Sequence, residues 1–318
     1  MRVLITGAGG FIGGAVARAL RARGDEVVAL VRDPGRASSL TEAGVELAVD
    51  DLSDVDGISG HLAGTDAAIH AAGTYRVGIR RNERRAMWDA NVGTTTRFLD
   101  ATKAAGTKLA VYVSTCNVFG NTRGRVVDET YHRDLGEGFL SWYDETKYRA
   151  HEVAEQRSAA GAPIVTVLPS QTYGPGDHSA FGEQLRRAHD GTLRYRSLDD
   201  AGVGLVHVDD LAAGVMAAMD RGMPGRSYVL SGPTTTLGEA VDVAATIGGH
   251  ESPRLRIPTA LLRAMAPFGP LIGQPGLDEV VSAAAGVTYW ASSARAEVEL
   301  GFSARPVDIG LRDTFGAA

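Results

Sequence analysis

The sequence predicts an α/β protein: a doubly wound parallel sheet with a smaller, mostly helical cap towards its C-terminal end. Two observations carry that expectation. As far as Pro169, short β-branched or apolar runs alternate with helix-length segments, the rhythm of βαβ units. The runs are continuously apolar rather than alternating, as strands covered by helices on both faces must be.

The elements follow in order. RVLIT (2–6) reads as a buried strand. It enters the glycine-rich turn TGAGGFIG and then a helix from Phe11 to Arg23 with apolar spacing near 3.6, ended by Gly24 and Asp25. EVVALV is the next strand, and VELAVDD, DAAIHAAG, LAVYVST and APIVTVLPS repeat the theme. After Pro169 the rhythm changes: 173–202 hold YGPGD and a polar, Arg-rich helix. GLVHVDD and RSYVLSG read as a return to the sheet. From Thr234 the chain reads as mainly helical with a polar tail. The expected division is a dinucleotide-binding part over 1–172 plus 203–232 and a substrate cap over 173–202 plus 233–318. PTALLRAMAPFGPLIG (258–273) reads as a short buried helix followed by a turn. Its three Pro, two Gly and one Arg interrupt it too often for a membrane span.

Composition narrows the classes. The chain has 318 residues, 44% hydrophobic and 22% charged, ordinary for a globular protein. A net charge of −6 offers no basic surface for nucleic acid. The single cysteine, Cys116, permits no disulfide within the chain and fits a reducing cytoplasm. The first residues break into glycine too soon for a signal peptide. No cluster has metal-ligand spacing. The expected partner is a small-molecule substrate, with no nucleic acid and no membrane.

TGAGGFIG places Gly7, Gly10, Phe11, Ile12 and Gly13 between a strand and a helix. Glycine is needed where the turn is sharp and a phosphate approaches the backbone, and the helix N-terminus offers free N–H groups to a pyrophosphate. The second strand ends in ALVRDP. NAD binders usually carry an acid there, whereas Val31 is followed by Arg32, which can pair with a 2′-phosphate. NADP is therefore the expected cofactor. Asp33 beside Arg32 leaves NAD open. In AVDDLSD, Asp51 and Leu52 are candidates for an adenine contact, with Asp50 and Asp54 as rivals.

WYDETKYRA holds Tyr143 and Lys147, one helical turn apart and on one face. The chain has only three lysines, Lys103, Lys108 and Lys147, among 32 Lys plus Arg, so a lysine here is not filler. A fixed cation beside a phenol favours the phenolate, which suits proton exchange with an alcohol or carbonyl. The plainer reading is a solvated helix pair.

Together these motifs resemble the extended short-chain dehydrogenase/reductases over nearly the whole chain. HAAG (70–73) is similar to that family's segment beneath the cofactor, NVGTT from Asn91 to its Asn-Val helix signature, YVSTCNVFG to its Ser/Thr motif and LPSQTYGPG to its proline segment near the nicotinamide. LVHVDDLA and ARAEVELGF resemble later signatures. The resemblance implies a Rossmann-type sheet. It implies Thr115, Tyr143 and Lys147 as a catalytic triad, with Ser114 as the rival of Thr115. Lys147 would also hold the nicotinamide ribose, and Ala71, Ala72, Gly73 and Pro169 would line the cofactor. Paired helices near 86–105 and 143–160 would permit a homodimer.

Three departures point within the family. Cys116 and Asn117 follow Thr115 where sugar 4,6-dehydratases carry Asp-Glu. Val203 stands where many sugar-nucleotide enzymes place a diphosphate-binding Arg. Val31-Arg32 replaces the acid of NAD-type epimerases. These features are similar to dihydroflavonol reductases and 3β-hydroxysteroid dehydrogenases. They imply an NADP(H)-dependent oxidoreductase of a small, hydrophobic alcohol or carbonyl compound. The alternatives are a nucleotide-sugar epimerase and a dinucleotide-sensing protein without turnover. His207 reads as an interior histidine, His178 borders the expected cleft, and Cys116 reads as a small buried residue. Arg80, Arg81, Arg84 and Arg85 read as a solvated face. The rival reading has this segment, from Tyr75 onwards, bordering the cleft and attracting an anionic substrate.

Overall fold

The structure, a computed structural model, describes residues 1–274 and 276–316. The expected cap range 233–318 therefore includes three residues, 275, 317 and 318, that lie outside the described residues. In chain order the strands are β1 (Arg2–Thr6), β2 (Glu26–Val31), β3 (Glu46–Val49), β4 (Ala67–His70), β5 (Ala110–Val113), β6 (Ile164–Pro169), β7 (Gln171–Tyr173), β8 (Arg196–Ser197), β9 (Gly202–His207), β10 (Ser227–Leu230), β11 (Thr234–Thr236) and β12 (Arg256–Ile257). Seven of them form one sheet in the order β3-β2-β1-β4-β5-β6-β10, every pair parallel. This is the Rossmann-type α/β arrangement. The order reverses between β1 and β4, and a crevice opens at such a switch point.

Successive residues of β1 face opposite sides of the sheet, and both sides are covered. Val3 and Ile5 pack with Val16 and Leu20 of the helix Phe11–Arg23 and with Leu211 and Val215 of the helix Val208–Arg221. Leu4 packs on the other face with Ile58, Phe98 and Ala150, which come from the helices Val55–Leu62, Thr94–Ala104 and Trp142–Ala159. That double cover is why the strands read as unbroken apolar runs. The helix Phe11–Arg23 starts after an extended Gly10 and stops at a left-handed Gly24, φ 96°, whose N–H bonds the carbonyls of Arg21 and Leu20.

Three expectations change beyond Pro169. RSYVLSG does rejoin the main sheet as β10, but GLVHVDD does not: β9 lies between β7 and β11 in a small sheet of its own. Its alternating residues serve two cores, Val203 and Leu205 packing with Leu185 and Val241 of the cap helices, Val206 with the main core. The stretch 258–273 is helical over Thr259–Met265 and Ala266–Ile272, but Leu261, Phe268 and Leu271 are exposed rather than buried. The expected polar tail is the helix Val307–Phe315, which buries Leu311 in the cap. Among the described residues no helix is long and apolar enough to cross a membrane, and no cluster of His, Cys, Asp or Glu could hold a metal.

Candidate active site

A groove of about 840 Å³ opens at the C-terminal ends of β1, β2 and β4. Gly7, Gly10, Arg32, Asp51, Leu52, Ala71, Ala72 and Gly73, all named from sequence, line it. Gly7 has φ +75°, and a Cβ there would fall 2.5 Å from the Ala71 carbonyl carbon and the Ala72 nitrogen. The turn can therefore lie against the segment after β4 only as glycine. Gly10 N–H closes the turn on Gly7 O at 2.9 Å. Gly9, which the sequence reading passed over, also lines the groove, and a Cβ on it would meet nothing within 4 Å. Gly13 has a different place: its Cβ would sit 2.3 Å from Gly7 O, so it packs beneath the turn rather than along the groove. Phe11 and Ile12 pack against the core and do not line the groove. The first turn of the following helix holds no acid. An open, glycine-floored cradle facing a positive helix end fits a dinucleotide pyrophosphate.

At the far end of the groove Arg32 is exposed. Asp33 accepts the Gly35 N–H at 3.0 Å and caps the short helical turn Pro34–Arg36. Leu52 is buried in a left-handed conformation, φ 60°, which costs a non-glycine residue about 1–2 kcal/mol. Asp50 holds it by accepting its N–H at 2.6 Å, and Arg97 Nε donates to its carbonyl at 2.6 Å. Asp51 is exposed, and the Ser53 hydrogen bonds hold its carboxyl below the ordinary value. Asp54 caps the helix Val55–Leu62 through Gly57 N–H at 2.7 Å.

The catalytic candidates stand in the extended segment just after β5 and on the helix Trp142–Ala159, which Ser141 caps through the Asp144 N–H at 3.1 Å. Tyr143 and Lys147 are both buried. Burial pushes the Tyr143 phenol well above its ordinary pKa, and the neighbouring Thr115 hydroxyl offsets this only in part. Thr115 also donates to Asn117 Oδ1 at 3.1 Å and reaches the Pro169 carbonyl at 3.5 Å. Ser114 turns away, its Oγ 3.2 Å from His151 Nδ1. Adjacent strand residues face opposite sides, so only one hydroxyl can meet Tyr143.

Lys147 reaches the end of β5 from the helix Trp142–Ala159. Its ammonium donates to Val113 O at 3.4 Å, lies 5.6 Å from the Tyr112 ring centroid and borders Gly73. Burial lowers its pKa to about 8. The ammonium thus lies behind the groove wall at Gly73.

Asn91 is the residue whose role the sequence did not disclose, although NVGTT flagged it. It is buried within the π-helical turn Asp89–Gly93. Its amide accepts Thr74 N–H at 2.7 Å and donates to Thr74 O at 3.1 Å and Thr146 Oγ1 at 2.9 Å. One side chain thus ties the groove rim to the helix of Tyr143 and Lys147. His70 lies between Thr6 Oγ1 at 2.8 Å and Thr95 Oγ1 at 3.1 Å, and burial depresses its pKa to about 3, so it stays neutral. Cys116 donates to Leu168 O at 3.1 Å, with its thiol pushed up by burial. His207 is an interior residue whose Nδ1 accepts the Asp209 N–H at 3.3 Å; His178 is exposed.

The family model described as NAD dependent epimerase/dehydratase family matches residues 3–231. The chain is 29% identical over 84% of its length to a protein from Methylococcus capsulatus named Sterol demethylase protein B, covering 80% of that protein. It is 30% identical over 93% of its length to a putative dihydroflavonol 4-reductase from Synechocystis sp., covering 89% of that protein. The crystal structure of gox2253 superposes with a TM-score of 0.84 and 30% identity, covering 98% of this chain and 96% of that one.

Proposed function

The chain belongs to the NAD dependent epimerase/dehydratase family, and we propose that within it the protein is an NADP(H)-dependent reductase or dehydrogenase of a small, hydrophobic alcohol or carbonyl compound. That it is an NAD(P)-dependent enzyme follows from the family and its relatives; the substrate class, the NADP preference and the residue roles are our reading. The observation that carries it is that no acid follows Thr115: Cys116 is buried with a raised thiol pKa, and Asn117 is an amide. A hydride exchange needs one proton donor, which Tyr143 supplies. An elimination needs more.

The cap supports the same reading. Val203 is buried among apolar side chains and offers no cation to a diphosphate. Of the cap arginines, Arg186 pairs with Glu183 and Arg196 is buried between Asp199 and Asp242, while Arg187 and Arg194 stand exposed on the outer surface rather than beside Val203 in the apolar core. Burying a diphosphate without a free cation is costly. The two named relatives carry names that refer to a sterol and a flavonoid, both hydrophobic ring compounds.

The roles follow from position. The cofactor supplies or accepts the hydride. Gly7, Gly9 and Gly10 would cradle its pyrophosphate, Arg32 its 2′-phosphate, and Asp51 and Leu52 its adenine. Ala71, Ala72 and Gly73 would lie beneath it, with Pro169 at the nicotinamide end. Lys147, cationic below about pH 8, would hold the ribose and favour the phenolate. Thr115 would hydrogen-bond the substrate oxygen, and Tyr143 would give that oxygen its proton in reduction and take it back in oxidation. The ranges 1–172 plus 203–232 for cofactor and 173–202 plus 233–318 for substrate belong to the same reading. The purified protein with NADPH and a panel of apolar ketones and aldehydes is the test, with cofactor oxidation expected. Saturable thermal stabilisation by a UDP- or TDP-sugar at micromolar concentration, with no ketone reduced, makes it an epimerase instead.

A further inference from the structure

Tyr75 follows the groove segment Ala71–Gly73 and sets its ring edge-on to that of Tyr143, centroids 4.8 Å apart at 90°. Tyr143 is buried, whereas Tyr75 keeps 58% of its surface exposed. An aromatic so open is not held there by core packing.

Its backbone is nevertheless fixed on both sides. Asn91 holds both the N–H and the carbonyl of Thr74. Beyond Tyr75, Gly78 meets Gly276 of the cap backbone to backbone. A Cβ on Gly78 would fall 2.7 Å from Gly276 O, and one on Gly276 would fall 2.0 Å from Gly78 O. Glu279 of the cap accepts the Gly78 N–H at 3.2 Å and a hydrogen bond from Arg84 at 2.7 Å. The Arg84 guanidinium lies 5.1 Å from the centroid of the Trp142 ring, next to Tyr143 in the chain. Arg84 is thus paired with a carboxylate, which removes it from any anion-attracting role. The cofactor side and the cap together clamp the segment that presents Tyr75, so its ring is a fixed wall beside the reacting group.

We propose that Tyr75 is a specificity-determining residue whose exposed face stacks on a flat, unsaturated or fused-ring part of the substrate, next to the carbonyl that Tyr143 serves. This deepens the reductase reading and rests on it. An aromatic face gains most from a second flat π surface in offset contact. A flexible alkyl chain of equal size gains less and loses rotamer freedom on being ordered there.

The test uses the full-length enzyme saturated with NADP⁺ and two alcohols of equal carbon number, 1-(2-naphthyl)ethanol and 2-dodecanol, titrated by calorimetry. Wild type is expected to prefer the naphthyl alcohol by about tenfold, the size of an aromatic pair contact. Tyr75→Phe keeps that preference. Tyr75→Leu, which keeps bulk without a π face, loses it and leaves 2-dodecanol affinity within about twofold. Equal weakening of both alcohols in Tyr75→Leu, no weakening, or no binding of the naphthyl alcohol to wild type overturns the proposal. If the binding pattern holds but neither the alcohols nor the matching ketones turn over, Tyr75 keeps its role and the reductase reading falls.

Discussion

The two ends of the active site are built from different materials. The cofactor end is backbone: Gly7, Gly9 and Gly10 line the groove with the segment Ala71–Gly73, and a Cβ on Gly7 or Gly13 would strike main chain. On our reading the substrate end is side chains: Tyr75 and Tyr143 with their rings perpendicular, and Trp142 next to Tyr143 in the chain. A site made of backbone constrains which residues can stand at each position. A site made of side chains leaves them open. On our reading cofactor binding sits at the first, and the choice of substrate sits at the second.

The sharpest way to break that comparison is at the border between the ends. Tyr143→Phe removes one proton donor and no cofactor contact. Turnover is expected to fall about 10²–10⁴-fold, while dinucleotide affinity measured by calorimetry stays within about threefold. Rates near wild type on a true substrate would remove Tyr143 from the chemistry.

Lys147 belongs to both ends, and its titration separates them. Burial lowers its pKa to about 8, so the cation is fully present below that pH and is lost as pH rises through it. Catalysed reduction should therefore fall about tenfold per pH unit above pH 8, in a kcat profile at saturating NADPH. Lys147→Ala should weaken turnover and cofactor binding together. A flat profile through pH 10 would mean that the ammonium takes no part in the rate.

Within the cofactor end, Arg32 is the cation that our reading places at the 2′-phosphate. Arg32→Ala should weaken NADPH by one to two decades, the value of a charge-assisted contact of about 1.5–3 kcal/mol, and leave NADH nearly unchanged. Equal or tighter binding of NADH by wild type assigns control of the ribose to Asp33 instead.

The same contrast explains what could be read from sequence. The helix Phe11–Arg23 was legible to the residue because glycines bracket it at both ends. The strands β1 to β6 followed from their apolar runs, whereas their order in the sheet did not. β9 was not legible, because a strand serving two cores carries the same apolar pattern as one inside the main sheet. The stretch 258–273 was misread because apolarity signals burial, whereas this cap docks through Gly78, Gly276 and Glu279 rather than through its leucines. Asn91 joins residues 17 and 55 positions away in the chain, a relation no local pattern encodes. Tyr75 lies in no motif at all.

The smallest expected effect lies in that cap. Leu271 is 84% exposed, so removing its side chain takes almost no apolar surface out of a buried state. Leu271→Ser should change unfolding stability by no more than about 0.5 kcal/mol. Leu20, fully buried in the cofactor half, is the matched control, and Leu20→Ala should cost about 2–5 kcal/mol. Both are read from denaturant unfolding at equal slope, so that a change in midpoint reports stability alone. A loss for Leu271→Ser as large as that for Leu20→Ala would mean that the cap covers this leucine in solution. The cap would then be built on apolar packing like the rest of the molecule, and the contrast between the two ends would not extend to its surface.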